Sequence, residues 1–359
     1  MKVSRKSEEI KYEEAIRNNF VSHCYSYLAR IMIKCWDNKI RRGASILYQI
    51  TVPVNLDIED VAFFCESTLN EIEQLMPSDV CFDFNKMSAS FIEPAGVVTL
   101  WNMVDYIERQ YNATIYYNFP KDYKKRPRFY KAVDYLDDSL FFEKVMGEKL
   151  HPFSQQRSTT NGLEKLHHGH YNAEYIQKTI AWLKGNVSLR KKSFGTLETA
   201  LGEVFNNIND HSGSLIGGCA FAQHYPRNNE IKFCVADTGM GIPTRIRTKY
   251  STNQLGEKLT SDSSAMKYAT LPKVSTETRP SNRGMGLDNL LKIMELNQGS
   301  MIILSNKGKL TYNYKYSPTR VPEKIRLYDD VFSYKGTLIM LTFRTDTLDI
   351  EEEEDLEWL

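Results

Sequence analysis

The sequence has no Cys-x-x-Cys pair, no Gly-x-x-x-x-Gly-Lys-[Ser/Thr] run and no apolar stretch near the roughly 18 residues a membrane span needs. The first absence leaves six cysteines scattered in apolar surroundings such as Phe233-Cys234-Val235, where they read as reduced, buried hydrophobes rather than disulfide or metal ligands. The second excludes a P-loop. The third excludes a bilayer-spanning helix, since the longest apolar runs, near 97–104 and 301–304, are short. An excess of one charge is also missing. Lys+Arg 46 against Asp+Glu 45 gives +1, so no bulk electrostatic attraction to nucleic acid or anionic membrane exists. A local basic patch (Lys121, Lys124, Lys125, Arg126, Arg128) reads as a solvated loop. The N-terminus has no apolar core followed by a small-residue cleavage site, so a cytoplasmic protein is expected.

A chain of 359 residues, 42% hydrophobic and 25% charged, has the balance and length of two soluble domains. Apolar spacing predicts a helical segment over 1–45. An α/β region then follows over 46–146: strand 46–54, a helix with Asp57 as N-cap candidate, strand 80–84, helix 95–111, strand 114–118 and helix 129–146. Residues 147–170 carry little apolar periodicity and read as a linker, with His167, His168 and His170 solvated in it. A second α/β domain is expected over 171–345, with helices 171–184, 196–211 and 285–297 and strands 215–225, 231–236, 300–305, 310–316 and 337–343. Residues 346–359 read as an acidic tail.

Three segments of the second domain carry chemistry. On a helix, Glu203 and Asn207 are four apart and share a face, with Asp210 and His211 one turn on. A carboxylate beside a carboxamide suits polarising a water and ligating Mg²⁺. After the strand 231–236 comes Asp237-Thr-Gly239-Met240-Gly241-Ile-Pro243. An acid at a strand end can accept from an exocyclic amine, and the glycines let backbone approach a ligand. Finally Arg283-Gly284-Met285-Gly286-Leu287 opens an amphipathic helix, whose free N–H groups and dipole favour an anion.

In this order and spacing the three segments resemble the N, G1 and G2 boxes of the ATP-binding fold shared by DNA gyrase, the ninety-kilodalton heat-shock chaperone, histidine kinases and MutL. Gly336-Thr337 resembles that family's closing Gly-Thr element. The resemblance covers about residues 171–345 and implies a Bergerat-type α/β sandwich, a mixed sheet with helices on one face. It implies ATP and Mg²⁺ as ligands, with Asn207 at Mg²⁺ and phosphate, Asp237 at the adenine amino group and Thr337 supporting it. Gly239, Met240 and Gly241 would lie beneath the base. Arg283, Gly284, Met285, Gly286 and Leu287 would lie at the phosphates, with Asp210 nearby and residues 245–282 as a mobile lid.

Glu203, where histidine kinases carry Asn, resembles the water-activating Glu of the gyrase-like ATPases and the Glu of anti-sigma-factor kinases. No His-Glu-x-x-[Ser/Thr]-Pro segment exists among the seven histidines. A catalytic Lys would have to come from the lid (Lys258, Lys267, Lys273), the N-terminal region or a partner. Residues 46–146 resemble the STAS (anti-anti-sigma-factor) domains, with Pro94 where the phosphorylatable Ser stands and Glu93 at the Asp. The combined expectation is a slow Mg-dependent ATPase acting as a nucleotide-driven switch in bacterial signalling or regulation. A serine/threonine kinase of the anti-sigma type and a non-hydrolysing nucleotide-sensing adaptor stay open. Expected partners are ATP or ADP and a protein of unknown identity, with the apolar N-terminal helix offering a route to a homodimer.

Overall fold

The computed structural model describes residues 47–87, 92–125, 128–166, 173–188, 191–211, 217–272, 274, 286–314 and 325–347. The expected N-terminal helix, Cys24, Cys35, the three linker histidines and the acidic tail from 348 onward lie outside them. Two compact units, 1–47 and 48–359, make up the chain, and the description below begins at Leu47.

The first elements are β1 (Leu47–Thr51), α1 (Val61–Leu75), β2 (Asp79–Asp83), α2 (Pro94–Tyr111) and β3 (Thr114–Asn118). They form a three-stranded sheet in the order β1-β2-β3, with β2 and β3 parallel across α2. Asp57 caps the turn before α1, its carboxylate accepting from the N–H groups of Glu59 and Asp60. The expected helix over 129–146 is two, α3 (Lys131–Asp138) and α4 (Phe141–Met146), broken where Leu140 takes a left-handed conformation at φ 67°.

The second sheet has seven strands in the order β4-β5-β6-β10-β7-β8-β9. These are β4 (Thr160–Leu166), β5 (Gly218–Tyr225), β6 (Glu230–Asp237), β7 (Ser300–Asn306), β8 (Gly308–Asn313), β9 (Ile325–Tyr328) and β10 (Tyr334–Arg344). Helices α5 (Ala173–Asn186), α6 (Lys191–His211) and α9 (Gly286–Leu296) cover one face. Between β6 and α9 lie α7 (Ile242–Lys249) and α8 (Asp262–Ala269). An α/β fold with one parallel-paired and one larger sheet is therefore observed. Two details differ from expectation. All neighbours in the large sheet are antiparallel, so the parallel pairing belongs to the small sheet alone. And helices lie on both faces of the large sheet.

The second covering is α2, with α1 beside it. Every residue from Pro94 to Ile107 is buried, the polar Thr99, Asn102 and Asp105 included, so the helix is covered on all sides. The strands match it by their alternation. Cys219, Phe221, Cys234, Ala236, Leu338 and Met340 face the core shared with α1, α2 and the small sheet. Ala220, Ala222, Phe233, Val235, Ile339 and Leu341 face the helices α5, α6 and α9. The four described cysteines (Cys65, Cys81, Cys219, Cys234) are free and buried.

The stretch expected to be a linker contains β4, the edge strand paired with β5. Its sequence, Thr-Asn-Gly-Leu-Glu-Lys-Leu, hides the strand because it buries polar groups that find partners both nearby and far along the chain. Asn161 donates to Thr179 at 2.7 Å and Thr160 to the Arg157 carbonyl at 3.1 Å. Arg128 of the basic patch binds the buried Asp138 at 2.6 Å, beside Arg157 from outside the patch at 2.9 Å, so the patch is partly neutralised.

At the first residue of α2, Pro94 occupies the turn where a proline costs nothing, and Glu93 is the N-cap residue. Glu93 reaches the large sheet, accepting from Lys232 Nζ at 2.6 Å, with both side chains largely buried. Removing one partner strands the other charge in the interior. Lys232→Met should therefore lower unfolding free energy by about 3 kcal/mol in urea titrations, and adding Glu93→Gln should recover most of it.

Candidate functional site

Antiparallel pairing lines up one row of residues across the end of the large sheet. Gly218 of β5 lies opposite Asp237 of β6, Asp237 opposite Thr337 of β10, and Thr337 opposite Ser305 of β7. Directly opposed side chains share a face. By the period of two, this row points with Ala220, Val235, Ile339 and Ile303 toward the helices α6 and α9. One position earlier on that face the sheet is apolar; at this row it becomes small and polar.

Asp237 is 3% exposed. Its Oδ1 accepts from Gly239 N–H at 2.6 Å, and the Thr337 N–H also bonds its carboxylate. Among the described residues it has no cationic partner. Burial therefore dominates, pushing the carboxyl up to about 7 against the opposing pull of the two N–H groups.

Two glycines let backbone close round this acid. Gly336 sits at φ 84°, and a Cβ there would stand 2.3 Å from the Asp237 carbonyl and 2.7 Å from Gly239 N. Gly241 sits at φ 80°, with Ser305 Oγ and Asn306 Oδ1 within 2.8 Å of where a Cβ would be. No other residue fits either position without strain. Ser305 Oγ accepts from Ile242 N–H at 2.9 Å, and Asn306 donates to Thr244 at 2.8 Å, so β7 holds the turn and the start of α7. Pro243 falls in the first turn of α7. Met240, at the tip, is 37% exposed.

On the helix side, α6 packs Leu197, Leu201, Val204 and Phe205 into the core. Glu203, on the adjoining stripe, is half-buried, and burial raises its carboxyl above the usual range. Asn207 and Asp210 lie on α6 with side chains outside the described residues, and Arg283, Gly284 and Met285 lie outside them altogether. Gly286 is the first residue of α9. Leu287, expected at the phosphates, is buried among the core residues between helices and sheet. The sheet thus brings together Asp237, Gly239, Gly241 and Thr337.

Sequence reading missed Ser305 and Gly218. A serine ending an otherwise apolar strand, in step with Asp237 ending another, was the available signal.

The segment expected as a mobile lid is built through Leu271. Ile246, Leu259, Ala265, Tyr268 and Val274 form a small core of their own, and α8 packs on β8 and β9. Arg247 binds the carbonyls of Leu259 and Thr260 and pairs with Asp262 at 2.6 Å. Lys258 and Lys267 are exposed, and Lys273 is outside the described residues.

Asp237 makes stability depend on pH with a definite sign. Its folded value, about 7, lies above the unfolded carboxyl near 3.9, so the native state holds a proton the unfolded chain has lost. The associated stability is complete below pH ~4 and falls until pH ~7. Between pH 5 and 8, urea unfolding of wild type should lose about 3 kcal/mol relative to Asp237→Asn.

No protein-family model matches the chain, and no curated protein matches it. Among solved structures it is similar to the topoisomerase IV ATP-binding domain of Francisella tularensis, in complex with a small-molecule inhibitor. Identity is 10% and the TM-score 0.24, over 54% of this chain and 45% of that one, so the match spans less than half of that protein.

Proposed function

We propose that the large sheet and its helices α5, α6 and α9 bind an adenine nucleotide, and that the protein is a slow Mg-dependent ATPase working as a nucleotide-driven switch. The observation that carries this reading is the buried Asp237 carboxyl at the end of β6, bonded among the described residues only to backbone N–H groups and flanked by Thr337. A buried acceptor without a cation is costly unless a donor is delivered to it. The exocyclic amine of adenine is such a donor, and the close-packed Gly241 and Gly336 turns fix the acid in position.

Glu203 is the general base of the proposal. Its raised carboxyl is tuned toward neutrality, where a base takes a proton from water most effectively. Asn207 is the proposed side-chain ligand of Mg²⁺. That ion normally arrives with phosphates and keeps most of its waters, so it asks little of the protein. Arg283 and the start of α9 are the proposed phosphate contacts. The STAS likeness of residues 46–146 enters as a contact scaffold, since Pro94 has no hydroxyl to phosphorylate. No helix among the described residues is long and apolar enough to cross a membrane.

The test is ATP turnover with Mg²⁺, run beside calorimetric ADP binding, for wild type and Glu203→Ala. Turnover should fall by about 10²-fold or more in the variant, with affinity changed only a few-fold. Binding without turnover would make the protein a sensor, label from γ-phosphate on a second protein would make it a kinase, and no binding sinks the reading.

A further inference from the structure

Resting on the adenine-nucleotide reading of this site, we infer that Ser305 is a specificity-determining residue, which sets the Thr337 hydroxyl as an acceptor and so selects a 6-amino over a 6-oxo purine. The argument is a count of protons and lone pairs. A serine hydroxyl has one proton to give and two lone pairs to receive. Ser305, wholly buried, has three polar neighbours: Ile242 N at 2.9 Å, Gly336 O at 2.8 Å and Thr337 Oγ1 at 3.0 Å.

Ile242 N–H can only donate, so it takes one lone pair. The Gly336 carbonyl can only accept, so it takes the proton. That carbonyl is available because the β10–β7 ladder shifts register between Tyr334 and Thr337, which removes Gly336 from regular pairing. One lone pair remains for Thr337. Its hydroxyl proton must therefore point at Ser305, leaving only lone pairs on the threonine oxygen for any other group.

Thr337 lies directly opposite Asp237 and on the same face. Once Asp237 is ionised, the two side chains offer a base edge acceptors and no donor. The 6-amino group of adenine brings two N–H bonds to such a site. The 6-oxo group of hypoxanthine or guanine brings lone pairs, which the site repels. Of Ile242, Gly336, Ser305 and Thr337, only Thr337 needs to touch the ligand, so Ser305 acts through it as a positioning residue.

ADP and IDP differ at the 6-position and its N1 proton, which makes them the probes. Calorimetry at pH 8 should give wild type about 100-fold preference for ADP. In Ser305→Ala the Thr337 hydroxyl is released to turn and donate, so the preference should fall below about tenfold, with IDP binding more tightly than to wild type. A merely structural loss would weaken both nucleotides alike and keep the ratio. An unchanged ratio in a folded variant, or no preference in wild type, overturns the inference while leaving nucleotide binding intact. Wild type that binds neither nucleotide overturns the underlying reading as well. Should Ser305→Ala not fold, Thr337→Val decides: loss of ADP affinity with IDP unchanged supports an accepting threonine, and loss of IDP affinity alone refutes it.

Discussion

The register of β10 between β6 and β7 is the constraint on which the rest depends. One parity of that strand, Leu338 and Met340, feeds the core under α1 and α2; the other, Ile339, Leu341 and Phe343, feeds the core under α5, α6 and α9. A slip of one residue would exchange both sets at once and withdraw Thr337 from Asp237. Because both cores penalise the slip, the register is fixed twice over. The polar row at the sheet's end inherits that precision without contributing much to it.

The row also explains why a buried acid is tolerated. Asp237 is surrounded by groups that could not be larger or more apolar without collision: Gly336 against its carbonyl, Gly218 across β5, the turn of Gly239 to Gly241 ahead. The strands supply rigidity, and the hydroxyls of Ser305 and Thr337 supply orientation. Glu203 on α6 contributes a second raised carboxyl, but by partial burial on a helix rather than by enclosure. The two carboxyls thus gain affinity for protons by different routes, one through enclosure by the sheet and one through partial burial on a helix.

Much of this was legible in the sequence, and the failures have physical causes. The strands ending at Asp237 and Ser305, and the helix carrying Glu203, announce themselves by alternation and by a helical apolar stripe. β4 does not, because its polar residues are buried and satisfied by neighbours distant in sequence, such as Thr179. The segment 245–271 appears as a polar excursion because its apolar residues are spaced for a small three-dimensional core, not for one periodic element. Ser305 was visible as the polar end of an apolar strand, but its bonding was not, since that depends on a bulge in β10 that no local pattern near Ser305 encodes. The covering of the sheet's second face by α2 was not legible, because Thr99, Asn102, Asp105 and Arg109 give that helix the polar stripe of a surface element.

That covering bears on how the gene can be divided. A fragment encoding 171–345 alone would carry the proposed nucleotide pocket but would leave Cys219, Phe221, Cys234, Ala236, Leu338 and Met340 bare on one broad surface. It would also lose β4 from one edge, exposing the unpaired backbone of β5. Such a piece is built to stick to its own copies. The part of the molecule beyond residue 171 therefore depends on its cover by α2, and joining it to another N-terminal partner would require a replacement helix cut to the same sheet.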